Sequence, residues 1–266
     1  MNRTIVIGDL HGCLSEAVQL LAKCGADASK GDRVIFAGDL VDRGVDNAGC
    51  VDLAMQWEKA QGQKACVMGN HEFQHLIYED EIARTGRPLH MSNSHAETRK
   101  QLRKEHYDYF RTLPNFIRLP EHNAVVVHAG VVPGVPIESQ SKRHLLHAQM
   151  LKVDELGSTN VQTKWPSKVP QGEEWAFWTT VWKGPERIIF GHSVLDKPLL
   201  TEFVCGIDGG AVFGHQLHAV ILPTWEIVSI DACEKTLNRM LPKAGQHSRQ
   251  GRVAKFKVHG DVNTFS

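Results

Sequence analysis

The sequence predicts an α/β fold whose strands are covered on both faces. Two observations carry this prediction. Five apolar runs rich in β-branched residues each end beside a glycine: TIVIGD (4–9), RVIFAGD (33–39), ACVMGN (65–70), AVVVHAG (124–130) and RIIFGH (187–192). Such runs are too continuously apolar to alternate, so both of their faces should be buried. Between them, apolar residues recur at helical spacing.

Taken in order, the first run is followed by Leu14, Ala17, Val18, Leu21 and Ala22, and the second by Ala48, Val51, Leu53, Ala54 and Trp57. Both sets repeat at three and four residues, which predicts amphipathic helices and a βαβαβ path. Residues 72–112 read as two further helical stretches, the second rich in Lys, Arg and Glu and ended by Pro114, forming a cap or flank over the strand ends. Residues 133–185 are punctuated by Pro and Gly and crowd Trp165, Trp175, Trp178 and Trp182 near their end. These indoles either seal the core under a long loop, their more common fate, or stack on a nucleotide base. The runs at 203–207, 219–222 and 226–230 read as a strand meander. One catalytic domain is expected over 1–241. The tail at 242–266 carries Lys243, Arg249, Arg252, Lys255 and Lys257 against Asp261 and reads as a solvated basic end with a short strand near 253–258 at most.

Composition narrows the class. The 266 residues can bury a large core, and an apolar share of 42% is ordinary for a globular enzyme. Thirty Lys plus Arg balance thirty Asp plus Glu, which gives no global electrostatic case for nucleic-acid or membrane binding. No apolar stretch is long enough for a membrane span, and the expected location is the cytoplasm. Six cysteines without paired CxxC spacing read as buried small hydrophobes; Cys13, directly after GDLHG, reads as helix-start packing.

The chemistry lies where the strands stop. A glycine at a strand exit lets the backbone turn sharply, and the polar residue beside it is aimed into a common crevice. GDLHG (8–12), GDLVDRG (38–44), GNHE (69–72), HAG (128–130) and GH (191–192) thus deliver oxygen and imidazole donors to one place. Two cations need a carboxylate that can bridge them, and Asp39 is the candidate. Asp9 and His11 can serve one ion with Asp39, while Asn70, His128 and His192 serve the other. Oxygen and imidazole donors without thiolate favour Mn, Fe or Zn. Glu72 reads as support for a turn or helix N-terminus.

These five signatures, in this order over about residues 4–230, resemble the phosphoprotein phosphatase superfamily. The resemblance implies a calcineurin-like metallophosphoesterase fold, a central β-sandwich flanked by helices in four αββα layers. It implies the same six ligands, Asp9, His11, Asp39, Asn70, His128 and His192, and two divalent metal ions, Mn foremost. It matches the family's general acid to His71, its orienting carboxylate to Asp42 and its phosphate-clamping arginine to Arg43. Two cations that coordinate phosphoryl oxygens and activate a bridging water permit in-line hydrolysis without a covalent intermediate.

Departures bear on the substrate. Gly209 stands where relatives commonly have Thr, and His215 and His218 where they have Gly and Thr. The family's second phosphate-binding arginine has five candidates here: Arg143, Lys164, Lys168, Lys183 and Arg187. GDLVDRG with GNHE is the form shared with protein phosphatases, whereas the stretches at 177–191 and 206–222 resemble the diadenosine-tetraphosphatase branch. The expectation leans towards a broad phosphatase that includes serine/threonine phosphoproteins. The alternative is a hydrolase of symmetrical diadenosine tetraphosphate cleavage or of another phosphoanhydride. A non-catalytic scaffold is the remote third reading, since no ligand position is missing.

Overall fold

The structure, a computed structural model, describes residues 3–158 and 160–233, so the predicted basic tail lies outside the described residues. β1 (Thr4–Ile7) leads through α1 (Leu14–Lys23) to β2 (Arg33–Phe36), which pairs parallel to β1. α2 (Asn47–Gln61) is capped by Asp46, whose carboxylate accepts the Gly49 N–H at 2.9 Å. α3 (Asn70–Thr85), α4 (Asn93–Gln101) and α5 (Lys104–Thr112) follow. β3 (Phe116–Leu119) and β4 (Ala124–Val127) form an antiparallel pair. The next segment carries α6 (Lys142–His147), then β5 (Met150–Lys152), β6 (Thr163–Lys164), β7 (Trp175–Phe177) and α7 (Trp178–Val181). The chain closes through β8 (Arg187–Phe190), β9 (Leu199–Leu200), β10 (Val204–Gly206), β11 (Gln216–Leu222) and β12 (Glu226–Asp231).

These strands make two facing sheets, ordered β12-β11-β1-β2 and β3-β4-β8-β10-β9, and a small third sheet, β6-β5-β7. Strand alternation sorts their side chains. Val6, Ile35, Val126, Ile189, Cys205 and Val220 point between the two large sheets and form one core. Their neighbours Ile5, Ile7, Val34 and Phe36 point outwards and are covered by α1, α2 and α5. On the other side Val125, Val127, Ile188 and Phe190 pack under Leu145, Leu151, Trp178 and Trp182. Apolar residues on consecutive positions are therefore satisfied by different layers, as the sequence predicts. The four-layer sandwich is present, with its fourth layer built from α6, α7 and the small sheet rather than from long helices.

Several elements differ in detail from the sequence-based expectation. Residues 65–68 contribute a single bridge, Cys66 to Phe36, rather than a strand; Met68 N–H is already committed to Pro114 O at 2.7 Å. The helical stretch before Pro114 breaks between Gln101 and Lys104, where Leu102 and Arg103 are extended. The run at 203–207 gives β10, which joins the second sheet beside β8, so only β11 and β12 form a meander. On α1 the buried stripe is Ala17, Leu20 and Leu21, while Val18 is half exposed. Cysteines 13, 24, 50, 66 and 205 are buried, as expected.

His218 and Gly209 form one packing unit. His218 is buried on β11, opposite Ser229 of β12, and its Nδ1 is 2.7 Å from Ser229 Oγ. A Cβ at Gly209 would collide with Gln216 O and the His218 imidazole, so the glycine makes room for a side chain larger than the usual Thr. Burial lowers His218 from the usual 6.5 to about 4. The unfolded chain then binds more protons between those values, so this residue's stabilisation is full above about pH 6.5 and lost as pH falls towards 4. We expect the melting-temperature gap between wild type and His218→Asn to narrow from pH 7 to pH 4.5 in calorimetric scans. A gap constant over that range would mean that His218 is not held neutral.

Candidate metal centre

Every predicted site residue lies at one end of the sandwich, beyond the carboxyl ends of β1, β2, β4 and β8 and at the start of α3. The backbone there is bent hard. Seven non-glycine residues among those described have positive φ, and five are site residues: His11 (44°), Asp39 (49°), Asp42 (73°), Arg43 (67°) and His192 (62°). A left-handed non-glycine residue costs on the order of 1–3 kcal/mol, so such positions persist only where the surroundings hold them. At Gly191 a Cβ would run into Asp9 Oδ1, which explains why GH rather than another dipeptide closes β8. The Asp9 carboxylate accepts the His192 N–H with both oxygens, at 3.1 and 3.0 Å.

Asp39 divides its carboxylate between two groups of donors. Oδ2 is 3.5 Å from His11 Nε2 and 3.9 Å from His71 Nε2, whereas Oδ1 is 3.4 Å from His128 Nε2. Main-chain carbonyls set the imidazole tautomers: His11 Nδ1–H donates to Val41 O at 2.8 Å, and His128 Nδ1–H donates to Ala37 O at 2.8 Å. Both Nε2 atoms therefore present lone pairs. His128 Nε2 is also 2.9 Å from Asn70 Oδ1. Burial lowers the pKa of His128, and a neutral imidazole has only one N–H, already given to Ala37, so this contact brings two electron-pair donors together. A cation between them relieves the repulsion. His192 Nε2 is buried without a hydrogen-bond partner, and burial holds its ring neutral, well below the usual pKa.

The charge balance agrees. Burial, then Asp208 and Asp39, raises Asp9 well above the usual carboxylate range; burial raises Asp208 to about 6. Burial and Asp39 push Glu72 up to about 8. Asp9 and Asp208, crowded with Asp39 in a dry crevice, are stable as anions only beside positive charge. The donor set thus fits two divalent cations that share Asp39.

Asp42 is surrounded by three imidazoles. His71 Nδ1–H donates to Oδ2 at 2.6 Å, His75 Nε2–H to Oδ1 at 2.9 Å, and His95 Nε2–H to Oδ2 at 3.1 Å. Burial would raise this carboxyl, but the hydrogen bonds from His71, His75 and His95 outweigh it and hold it well below the usual range. His75 and His95 were not singled out from sequence. His75 is one helical turn after His71 on α3, a spacing that places both on one face; His95 arrives from α4 with no local signal. α4 also sends Ser94, whose Oγ accepts the Arg43 N–H at 2.7 Å. The stretch at 72–112 therefore flanks the site as expected. Arg43 turns its guanidinium onto His11 Nε2 and lies over the Phe213 ring, 5.5 Å from its centroid.

Of the candidates for a second phosphate-binding cation, Arg187 and Lys183 are taken elsewhere. Arg187 starts β8, the opposite end from His192, with its guanidinium 4.1 Å over Trp225, and Lys183 lies over Phe203. Lys164 lies over Trp175. Arg143, on α6, is within electrostatic reach of His147. Glu72 has the supporting part foreseen for it: its carboxylate accepts the N–H groups of Gly69, Asp39, Leu40 and Val41 at 2.8–3.3 Å.

The calcineurin-like phosphoesterase family profile matches residues 2–218. The asymmetrical bis(5'-nucleosyl)-tetraphosphatase PrpE of Halalkalibacterium halodurans is 28% identical over 238 residues, covering 85% of this chain and 92% of that protein. The PrpE tetraphosphatase of Bacillus velezensis is 29% identical over 246 residues, with the same two coverages. Among solved structures, a candidate diadenosine tetraphosphatase superposes with a TM-score of 0.72 at 26% identity, covering 88% of this chain and 95% of that one. A metallophosphoesterase from Sphaerobacter thermophilus shares the fold, with a TM-score of 0.52 at 14% identity, covering 91% and 95% of the two chains.

If Asp39 is shared by two cations, Asp39→Asn removes the one charge that screens them from each other. The variant, purified and dialysed against Mn, should hold one equivalent or fewer by elemental analysis and lose nearly all turnover. Two equivalents with full activity would exclude a bridging Asp39.

Proposed function

The chain belongs to the calcineurin-like phosphoesterase family, and from that premise we propose that it hydrolyses a phosphoanhydride bond of a nucleotide polyphosphate, a dinucleoside tetraphosphate foremost. The observation that carries the reaction class is the division of the Asp39 carboxylate between His11 on one side and His128 with Asn70 on the other. The substrate class is supported by the relatives named as tetraphosphatases, each aligned over 85% of this chain. That support moves the reading away from phosphoproteins, towards which the GDLVDRG and GNHE forms lean, and towards the phosphoanhydride alternative.

Asp9, His11 and Asp39 would hold one cation, and Asp39, Asn70, His128 and His192 the other. When bound, two such ions neutralise phosphoryl oxygens and lower the pKa of water. The chain's own groups account for orientation and proton transfer. Arg43, beside His11, offers a planar pair of N–H donors to two non-bridging phosphoryl oxygens. Asp42 fixes His71 by taking its Nδ1–H, which leaves Nε2 facing the crevice, 3.9 Å from Asp39 Oδ2. In the reaction the oxygen of a water that has released one proton to solvent forms the new bond to phosphorus as the anhydride P–O bond breaks, the leaving phosphate oxygen takes the proton that His71 carries on Nε2, and His71 regains a proton from solvent. Ser92 and Ser94, at the start of α4, complete the support: Ser92 Oγ–H donates to His95 Nδ1 at 2.9 Å, which leaves His95 Nε2–H for Asp42.

His71→Asn should keep two equivalents of metal yet slow hydrolysis by about 100- to 10,000-fold for poor leaving groups, and less for nitrophenyl phosphate, whose leaving group needs little protonation. An equal loss across leaving groups would assign His71 to phosphate positioning instead.

The substrate is tested by kcat/KM for diadenosine tetraphosphate, a phosphoserine peptide and inorganic tripolyphosphate in the presence of Mn. We expect the dinucleotide to exceed the peptide by more than about 100-fold, equivalent to roughly 2.7 kcal/mol of transition-state discrimination. Chromatography should show AMP with ATP, the asymmetrical pattern in the relatives' names; two ADP would mark symmetrical cleavage. A peptide turned over as well as the dinucleotide would restore the protein-phosphatase reading.

A further inference from the structure

The four tryptophans of the 133–185 segment meet different fates. Trp178 and Trp182 are buried against the second sheet, Trp178 in contact with Phe190 at 4.8 Å between centroids. Trp175 is partly buried, with Lys164 Nζ 5.0 Å from its ring centroid and its own Nε1–H donated to Glu173. Trp165 is 52% exposed, the one aromatic side chain among the large hydrophobics left exposed in the described residues. It is also beside the centre: its ring centroid is 5.2 Å from that of His192, with the planes 40° apart. His147 approaches the same imidazole at 6.2 Å in an edge-on geometry.

An indole is a costly group to leave in water, since its large apolar face forfeits the stabilisation that burial provides. Trp165 is not loose in compensation. It directly follows β6, whose Lys164 is paired with Met150 of β5, and its carbonyl accepts the Lys168 N–H at 2.8 Å in the turn that follows. An open aromatic face on an anchored backbone thus stands against a candidate metal ligand, on a segment whose other tryptophans are buried or partly buried.

We infer that Trp165 is the platform on which a nucleobase of the substrate stacks while the adjoining phosphates reach the centre at His192. This deepens the nucleotide-polyphosphate reading and rests on it. Every base offers a π face, so such a platform discriminates by ring area rather than by the base's hydrogen-bonding edge. Diadenosine and diguanosine tetraphosphates should therefore be used about equally, and diuridine tetraphosphate less well. Trp165 is a specificity residue in this scheme and takes no part in bond breaking.

The test uses the full chain as wild type, Trp165→Ala and Trp165→Phe, with Mn, on diadenosine tetraphosphate and tripolyphosphate. The ratio of kcat/KM for the dinucleotide to that for tripolyphosphate should fall about 10- to 100-fold in Trp165→Ala, mostly through KM, and largely recover in Trp165→Phe. Independently of turnover, AMP should quench tryptophan fluorescence of the EDTA-treated wild type, ribose 5-phosphate should not, and the quench should vanish in Trp165→Phe. A dinucleotide preference retained by Trp165→Ala would overturn the stacking platform and leave the anhydride assignment intact. A wild type with no preference for the dinucleotide over tripolyphosphate would overturn the nucleotide reading, and the platform with it.

Discussion

The crevice depends on the buried carboxylate of Glu72. It gathers four backbone N–H groups from two signature loops that are thirty residues apart in sequence, one leading out of β2 and one leading into α3. Burial and Asp39 push this carboxyl up to about 8, and against them work the four converging donors and its place in the first turn of a helix, where the backbone dipoles favour an anion. Tying the two loops together brings Asp39, Asn70 and His71 into one small volume. His71 N–H then donates to Asp39 Oδ1 at 3.0 Å, so the loops are joined a second time through a candidate ligand. Removing Glu72 would leave these amides without partners and release the geometry that the chemistry requires.

Strain and charge are concentrated in the same place for related reasons. Left-handed backbone at His11, Asp39, Asp42, Arg43 and His192 turns these side chains inwards in the loops that follow β1, β2 and β8. The sandwich supplies the rigidity that keeps those turns from relaxing, since its strands are packed on both faces. Crowded acids at Asp9, Asp39 and Asp208 are the electrostatic counterpart. The electrostatic tension resolves when positive charge is held at the centre, while the backbone strain is borne by the packed sandwich.

What could be read from the sequence follows from range. Short signatures at strand exits are local, and residues such as Asp9, Asp39 and His192 announce themselves by standing next to a glycine after an apolar run. Asp208 obeys the same grammar, in GIDGG, and was legible on that ground although it was not singled out. His95 was not legible, because its role arises from how α4 packs on the loop carrying Asp42, and nothing within its own segment encodes that approach. The third apolar run misled for a similar reason: whether 65–68 extends a sheet is decided by Pro114, far along the chain. The tryptophans were ambiguous as a group because composition is shared while exposure is individual. Trp178 answers to Gly130 and Phe190, and Trp165 to His192.

The carbonyls that orient His11 and His128 have a further consequence. Val41 O and Ala37 O belong to the main chain, and no point substitution deletes a main-chain oxygen. Ligand orientation is thereby insulated from mutational drift in a way that a carboxylate partner would not be. Trp165 has no such insulation, because what it brings beside His192 is a side chain. A lineage carrying this fold can exchange its clientele by a single substitution there while its hydrolytic heart remains unaltered.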